Sequence, residues 1–113
     1  MRLIILLLAF TLFSCSKKPT SQTQSCTFKY VFKSFGSNPM TCYSNGQTDV
    51  KTGYYERSEN YSIDIGNLVH GSHQVFMKCT SEDSVQCLGY LNGNLVSTGF
   101  KSKSSQCWIT YTW

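Results

Sequence analysis

The sequence contains little charge of either sign. Only 10 basic and 6 acidic residues occur among 113, and the formal net charge is +4. Acidic residues are mixed with the basic ones along the chain, so no basic stripe forms of the kind that follows a nucleic-acid backbone. We therefore expect no nucleic-acid partner.

Motifs that carry chemistry are also missing. The sequence has no G-x-S-x-G elbow, no glycine-rich loop that leads into a helix and no C-x-x-C pair. His70 and His73 are three residues apart, a spacing that places two ligands on one face only in a helix, and Gly71 favours a loop. Glu56 and Glu59 lie in the polar run ERSEN, which predicts a solvated loop. We expect a protein that is not an enzyme and holds no metal ion or cofactor.

The first residues form a short apolar segment. Arg2 precedes an unbroken apolar run over residues 3–10, which Leu12 and Phe13 extend. The run shows no helical period and is far shorter than the roughly 20 residues that a membrane-spanning helix needs. A basic start, a short apolar core and a small residue at the end are typical of a secretory signal peptide. We predict that residues 1–14 are a cleaved signal.

Leu12-Phe13-Ser14-Cys15 resembles the lipobox of bacterial lipoproteins. In that family the cysteine receives a diacylglyceryl thioether, the signal is cut just before it, and the new amine is acylated, commonly with palmitate. The resemblance implies that Cys15 is lipidated and anchors the chain in the membrane, since two or three acyl chains hold a soluble domain firmly. Ser16 implies sorting to the outer membrane.

The segment that follows the lipobox is polar. Residues 17–25, KKPTSQTQS, contain no apolar residue apart from Pro19 and cannot pack a core. We predict that residues 15–25 comprise the lipidated cysteine and a flexible tether, and that residues 26–113 form one small domain.

Apolar and polar residues alternate with a period of two through this domain. Inward-facing residues are predicted in four stretches: Phe28, Tyr30 and Phe32; Tyr61, Ile63 and Ile65; Val75, Met77 and Cys79; Cys107, Ile109, Tyr111 and Trp113. No periodic segment of helical length occurs. The pattern predicts an all-β fold, a small immunoglobulin-like β-sandwich of about seven antiparallel strands, with a small barrel as the alternative.

Turn signals separate these strands. The sharpest is Asn92-Gly93, because both central residues of a type I′ turn need positive φ. We therefore predict a hairpin of residues 85–91 and 94–98. Further turns are predicted at GSNP (36–39), SNG (44–46) and SEDS (81–84).

An odd number of cysteines remains for pairing once the lipidated one is set aside. In an exported protein disulfides are the default. Cys87 and Cys107 both fall on inward faces, and we predict a bridge between them and a second between Cys42 and Cys79, which leaves Cys26 unpaired. An alternative pairs Cys79 with Cys87 across the SEDS turn.

Aromatic residues are more numerous than a small core readily hides, with 7 Phe, 7 Tyr and 2 Trp. Tyr54 and Tyr55 are adjacent, so a strand would turn them to opposite faces. Tyr90 and Trp108 are predicted to face outward and to form an exposed patch if their strands are neighbours. Tyrosine and tryptophan suit interfaces, so we predict that these four residues bind a partner, the alternative being that they cover the sandwich rim.

Several segments together resemble a known group of envelope proteins. They are YVFKSFG (30–36), TCYSNG (41–46), SHQVFMKC (72–79), VQCLGYLNGNLVSTG (85–99) and SQCWITYTW (105–113). The pattern is similar to that of the MmpS-like small membrane-associated proteins and related lipoproteins, and it implies an immunoglobulin-like sandwich in an envelope setting. The MmpS proteins have a spanning helix and a Pro-Trp element that this sequence lacks, and they assist a lipid exporter.

The sequence therefore predicts an envelope lipoprotein whose sandwich binds a protein or glycan partner, in a role accessory to an envelope complex or transporter. An inhibitor of a lytic hydrolase such as lysozyme is the alternative. The size, the cysteines and the predicted all-β fold of this sequence are similar to those of such inhibitors, but the S-G-x-x-Y loop that is typical of them is missing.

Overall fold

The computed structural model describes residues 23–64 and 70–113, which form seven β-strands. The strands are β1 (Thr23–Ser34), β2 (Met40–Ser44), β3 (Gln47–Lys51), β4 (Tyr54–Asp64), β5 (Ser72–Leu91), β6 (Asn94–Thr98) and β7 (Ser102–Thr112). Every pair is antiparallel. The predicted all-β sandwich of about seven antiparallel strands is confirmed. Within these residues no helix has the length and apolarity needed to cross a bilayer.

The long strand β5 belongs to both layers of the sandwich. Its N-terminal part pairs with β2 on one edge and with β7 on the other, and β3 extends this layer beyond β2. Its C-terminal part pairs with β1 and β6, and β4 extends this layer beyond β1. We call β4–β1–β5–β6 the first layer and β3–β2–β5–β7 the second layer.

Residues 81–84 lie inside β5, so the predicted SEDS turn is wrong. The strand bends here instead, and its register with β7 shifts between Thr80 and Val85. Twelve residues of a straight strand span about 41 Å, yet a Cβ added at Gly89 would lie 3.4 Å from Sδ of Met77 in the other half of β5. The bend therefore turns the two halves of β5 so that the layers face each other.

The polar side chains that resemble a turn signal serve a neighbouring loop. Asp83 accepts hydrogen bonds from the backbone N–H of Asn38 (2.6 Å) and from its side-chain amide (3.1 Å). Asp83 thereby holds the loop between β1 and β2 against the bend in β5.

The core lies between the two layers and contains most of the side chains that alternation predicts to face inward, whereas Tyr61, Ile63 and Trp113 are only partly buried against it. Its members are Cys26, Phe28, Tyr30, Phe32, Met40, Cys42, Val75, Met77, Cys79, Val85, Cys87, Cys107, Ile109 and Tyr111. The layers pack closely at Gly89, where an added Cβ would lie 2.5 Å from Cγ1 of Ile109. No side chain fits between the layers at this point without displacing Ile109.

Two Asn-Gly pairs form the tight hairpins. Asn92 (φ 51°) and Gly93 (φ 86°) connect β5 to β6, which confirms the predicted hairpin, although residues 85–91 are only the end of the longer β5. Asn45 (φ 45°) and Gly46 (φ 90°) join β2 to β3 in the same way.

β1 begins three residues before the predicted domain boundary. Thr23, which the composition assigned to the tether, pairs with Asp64 at the end of β4. Backbone pairing depends little on side-chain polarity, so a polar segment joins the sheet wherever a partner strand extends alongside it. The predicted signal peptide, Cys15 and most of the tether lie outside the described residues, as does Ile65.

Candidate functional site

The outward side of the second layer forms a surface that we call the Trp108 face. Cross-strand register aligns Thr48, Tyr43, Lys78 and Gln106 in one row. Phe76 and Trp108 are paired in the next row. Within the paired segments 40–44, 47–51, 72–80 and 104–112, the other outward residues on this side are Ser, Thr, Gln and one Val, so Lys78 is the single charge there.

Three aromatic rings lie side by side on this face. The Phe76 ring centroid is 4.6 Å from that of Trp108 and 6.0 Å from that of Tyr43. Trp108 is 51% exposed and Tyr43 is 37% exposed. Within the described residues, neither the indole N–H of Trp108 nor the hydroxyl of Tyr43 has a hydrogen-bond partner. The rings therefore present both apolar area and free polar tips to solvent.

A shallow depression of about 390 Å³ adjoins these rings. It is lined by Thr41, Tyr43, Thr48, Phe76, Lys78 and Thr80. Its volume falls within the range of small-ligand sites, roughly 300–1,000 Å³. No carboxylate of the described residues lies within ion-pair distance of the Lys78 ammonium. The depression thus combines hydroxyl groups, two ring surfaces and one cation without an acidic partner.

Tyr90 and Trp108 do not form the patch that the sequence suggested. Gly89 on β5 faces Ile109 on β7 across the core. Side chains alternate along a strand, so Tyr90 and Trp108, each next to one of these two residues, point away from the core on opposite sides. The predicted patch is wrong because the two residues belong to different layers.

Tyr54 and Tyr90 lie on the outer side of the first layer among charged groups. The hydroxyl of Tyr54 donates to Oε2 of Glu56 (2.7 Å), which raises the pKa of the tyrosine. The Lys29 ammonium lies 3.7 Å from Oε1 of the same glutamate and 4.9 Å from the Tyr90 ring centroid. The Tyr54 hydroxyl and the Tyr90 ring face are therefore engaged within the chain, which distinguishes this surface from the Trp108 face.

Tyr55 faces inward, so the prediction that the adjacent tyrosines face opposite ways is confirmed. Its ring stacks on Phe32 with centroids 6.0 Å apart and an angle of 15° between planes. Its hydroxyl donates to Oδ2 of Asp49 (3.1 Å), and partial burial followed by this bond raises its pKa. Lys51 covers the ring at 4.9 Å. Tyr55 therefore packs at the rim of the core, as the alternative interpretation of the aromatic residues expected.

Tyr43 and Phe76 belong to the face but were not identified from the sequence as candidates. The sequence does indicate the orientation of both side chains, because Tyr43 follows the inward Cys42 and Phe76 lies between the inward Val75 and Met77. Alternation therefore predicts that both point outward. The missing information was the strand order, which places β2, β5 and β7 side by side.

Four of the buried thiols cluster in the core. The Cys87 sulfur lies 3.4 Å from that of Cys107, and the Cys79 thiol is near enough to shift the pKa of Cys87. Cys42 is the direct cross-strand partner of Cys79. All five described cysteines, including Cys26 on β1, are free thiols in this structure.

The sulfur of Cys87 occupies the centre of this cluster. Hydrogen bonds with Cys107 and Cys79 lower the pKa of the Cys87 thiol against the opposing effect of burial. The same bonds raise the pKa of Cys79 and of Cys107. The hydroxyl of Ser105 lies 3.5 Å from the Cys87 sulfur and adds a further contact. Cys87 is therefore the first of the three to become a thiolate, the form that reacts in disulfide exchange.

Glu56 and Glu59 lie within strand β4, so the predicted ERSEN loop is wrong. Glu56 faces outward, whereas Glu59 faces the sandwich interior beside Arg57, with Oε2 of the carboxylate 2.9 Å from Nη2 of the guanidinium. An edge strand such as β4 can hold polar residues on its inward side where they form ion pairs and hydrogen bonds with each other. The amino-acid composition of the segment does not reveal such pairing. The two glutamates are on opposite faces and form no acid–base pair.

The two histidines make separate contacts. His73 stacks on Tyr61, with centroids 3.9 Å apart and an angle of 5° between planes. Nδ1 of His70 lies 3.3 Å from the carbonyl oxygen of Trp113. Among residues 23–64 and 70–113, no group of three or more histidine, cysteine, aspartate or glutamate side chains is placed to hold a metal ion.

No protein-family model matches this sequence, and no curated protein matches it significantly. The similarity to the MmpS-like group therefore stays a prediction. The function is argued from the geometry of the described residues.

Proposed function

We propose that this chain is a lipid-anchored protein of the bacterial envelope, whose anchor holds a binding domain at the membrane. The domain is not an enzyme and binds a protein or glycan partner through the Trp108 face. Cys15 carries the acyl chains, and the polar segment that follows them spaces the domain from the bilayer. The outer membrane is the proposed location.

The observation that carries this proposal is the contrast between the two outer surfaces. On the first layer the Tyr54 hydroxyl, the Tyr90 ring face and the charges of Lys29 and Glu56 engage one another within the chain. On the second layer Tyr43 and Trp108 keep free polar tips beside a depression of about 390 Å³. Contiguous exposed aromatic surface on a small domain marks an interaction site.

Trp108→Ala is expected to reduce capture of the envelope partner about 30-fold, because loss of a central aromatic anchor costs about 2 kcal/mol or more. The measurement is the amount of cross-linked envelope material retained by immobilised purified domain. Tyr90→Ala is the matched control, since it removes an aromatic ring from the first layer. Equal capture by wild type, Trp108→Ala and Phe76→Ala would contradict the proposal.

Cys15→Ala is expected to move the protein from the membrane fraction to the soluble fraction. The physical reason is that the substitution removes the sulfur that would carry the diacylglyceryl group. Fractionation and the intact mass of the mature protein measure the effect, and Cys26→Ala serves as the control. A membrane-bound Cys15→Ala protein whose mass differs from that of the wild type only by the substitution itself would show that the anchor lies elsewhere.

We also propose that the exported domain contains the disulfides Cys87–Cys107 and Cys42–Cys79. Both pairs are neighbours in the fold, one across the core and one across adjacent strands. The alternative pair Cys79–Cys87 would leave Cys42 and Cys107 without partners. In each pair one cysteine thiolate attacks the disulfide of an oxidoreductase and forms a mixed disulfide, which the second cysteine then displaces. Two protons are released and two electrons pass to the oxidoreductase, which leaves as the dithiol.

A further inference from the structure

We propose that the ligand of the Trp108 face is an acidic saccharide chain, an inference that rests on the binding role proposed above. The face is almost uncharged, and apart from its three aromatic rings and one valine its neutral side chains carry hydroxyl or amide groups. Sugars present alternating apolar C–H surfaces and hydroxyl groups. Such a ligand uses ring surfaces for packing and short polar side chains for hydrogen bonds.

The arrangement of Trp108, Phe76 and Lys78 fits one sugar ring with an acidic substituent. Phe76 pairs directly with Trp108, and Lys78 is two residues further along β5 on the same side. Lys78 is thus a diagonal neighbour of Trp108, at about 7–8 Å. A pyranose ring packed on the Trp108 indole places a carboxylate substituent within reach of the Lys78 ammonium.

Charge complementarity decides between an acidic and a neutral sugar. Lys78 lines the depression and has no acidic partner among the described residues. An ammonium group that is half-buried among threonine and aromatic side chains gains most from a carboxylate, because a charge-assisted hydrogen bond is about twice as strong as a neutral one. The free cation therefore selects an anionic group on the ligand.

The same composition disfavours a protein as the partner of this face. The cores of protein interfaces are enriched in aromatic residues, methionine and arginine and depleted of serine and lysine, so this face shares only its aromatic residues with them. Here lysine lies near the centre, in the row formed by Tyr43 and Gln106. Serine and threonine surround it, and methionine and arginine are absent from the outward positions of the described strands on this side.

Calorimetric titration of the full mature domain with trigalacturonate and with a hyaluronate tetrasaccharide tests the proposal, each compared with its methyl ester. We expect at least one acid to bind about 10-fold more tightly than its ester. Lys78→Gln is expected to abolish this preference while it retains binding of the ester, and Trp108→Ala to abolish binding of both forms. Lys33→Gln, on the outer side of the first layer, is the control and should keep the preference.

Two results would overturn the inference in different ways. Equal binding of acid and ester by the wild type would show that the ligand is a saccharide but not an acidic one. Absence of binding by both acids and both esters would contradict the proposed saccharide ligand. In that second case, envelope capture that still depends on Trp108 would leave the proposed binding function standing with a protein as the partner.

Discussion

Reduction of the Cys87–Cys107 bridge is expected to lower the Tm of the domain by roughly 12–24 °C. A bridge that closes a loop of about 20 residues stabilises a protein by about 3 kcal/mol through the unfolded chain. Each kcal/mol shifts the Tm of a domain of this size by roughly 4–8 °C. The two sulfurs are already 3.4 Å apart in the core, so the bond forms with little movement of the strands.

The variant Cys42→Ser/Cys79→Ser isolates this bridge, because only Cys87 and Cys107 then remain as neighbouring thiols in the core. Its Tm is measured by circular dichroism with and without a phosphine reductant. Reduction changes no side-chain volume, so the Tm difference reports the covalent bond alone. The control adds Cys107→Ser to this variant, which should unfold at one temperature in both buffers.

Peptide mapping under non-reducing conditions decides the connectivity. We expect Cys87 linked to Cys107, Cys42 linked to Cys79, and Cys26 as an alkylatable thiol once the domain is unfolded. A Tm of the Cys42→Ser/Cys79→Ser variant that is insensitive to the reductant, with both remaining thiols alkylated, would contradict the bridge. Peptides that link Cys79 to Cys87 would support the alternative pairing.

The fold class was predictable from the sequence because alternation reports burial directly. Phe28, Tyr30 and Phe32 lie in the core as their period of two requires, and Asn92-Gly93 forms the hairpin that its positive φ values allow. The bend of β5 was not predictable. Acidic and serine residues at 81–84 occur equally in turns and in bulged strands, and only the neighbouring loop that Asp83 supports distinguishes the two.

The candidate site was predictable only in part. Trp108 was identified because it lies between inward-facing residues of the last strand, but its true neighbours Phe76 and Tyr43 come from strands distant in sequence. Strand order is a tertiary property that local alternation does not carry. Tyr90 was grouped with Trp108 for the same reason, although the bend of β5 puts the two residues in different layers.

An ion-pair network closes the open edge of the sandwich between β4 and the β2–β3 hairpin. Arg57 donates from Nη2 to Glu59 (2.9 Å) and from Nη1 to the carbonyl and hydroxyl oxygens of Ser44 (3.1 and 2.9 Å). Oε1 of Glu59 accepts hydrogen bonds from Tyr30 (2.9 Å) and Asn45 (2.7 Å). The side chains of Arg57 and Glu59 are only 19% and 28% exposed, so each depends on the other for its charge balance.

Arg57→Met is expected to lower the free energy of unfolding at pH 7 by about 2 kcal/mol. Removal of one partner from a buried pair costs about 3–5 kcal/mol, and the partial exposure of this pair reduces that figure. Urea unfolding measures the loss. Because the cost comes from the uncompensated Glu59 carboxylate, adding Glu59→Gln to Arg57→Met should restore part of the stability. A double variant less stable than Arg57→Met would contradict this explanation.

The same network sets the stability of the domain in acid. Burial alone would raise the pKa of Glu59, but hydrogen bonds from Asn45 and Tyr30 and the charge of Arg57 outweigh it and lower the pKa. The stabilisation is therefore complete above the unfolded-state pKa of about 4.3 and is lost as the pH falls through the lower folded-state pKa. Urea unfolding between pH 6 and pH 3 should show this loss in the wild type and a smaller one in Glu59→Gln. If Glu59 is responsible, the free energies of unfolding of the two proteins should converge as the pH falls. A constant difference between them from pH 6 to pH 3 would show that another group is responsible.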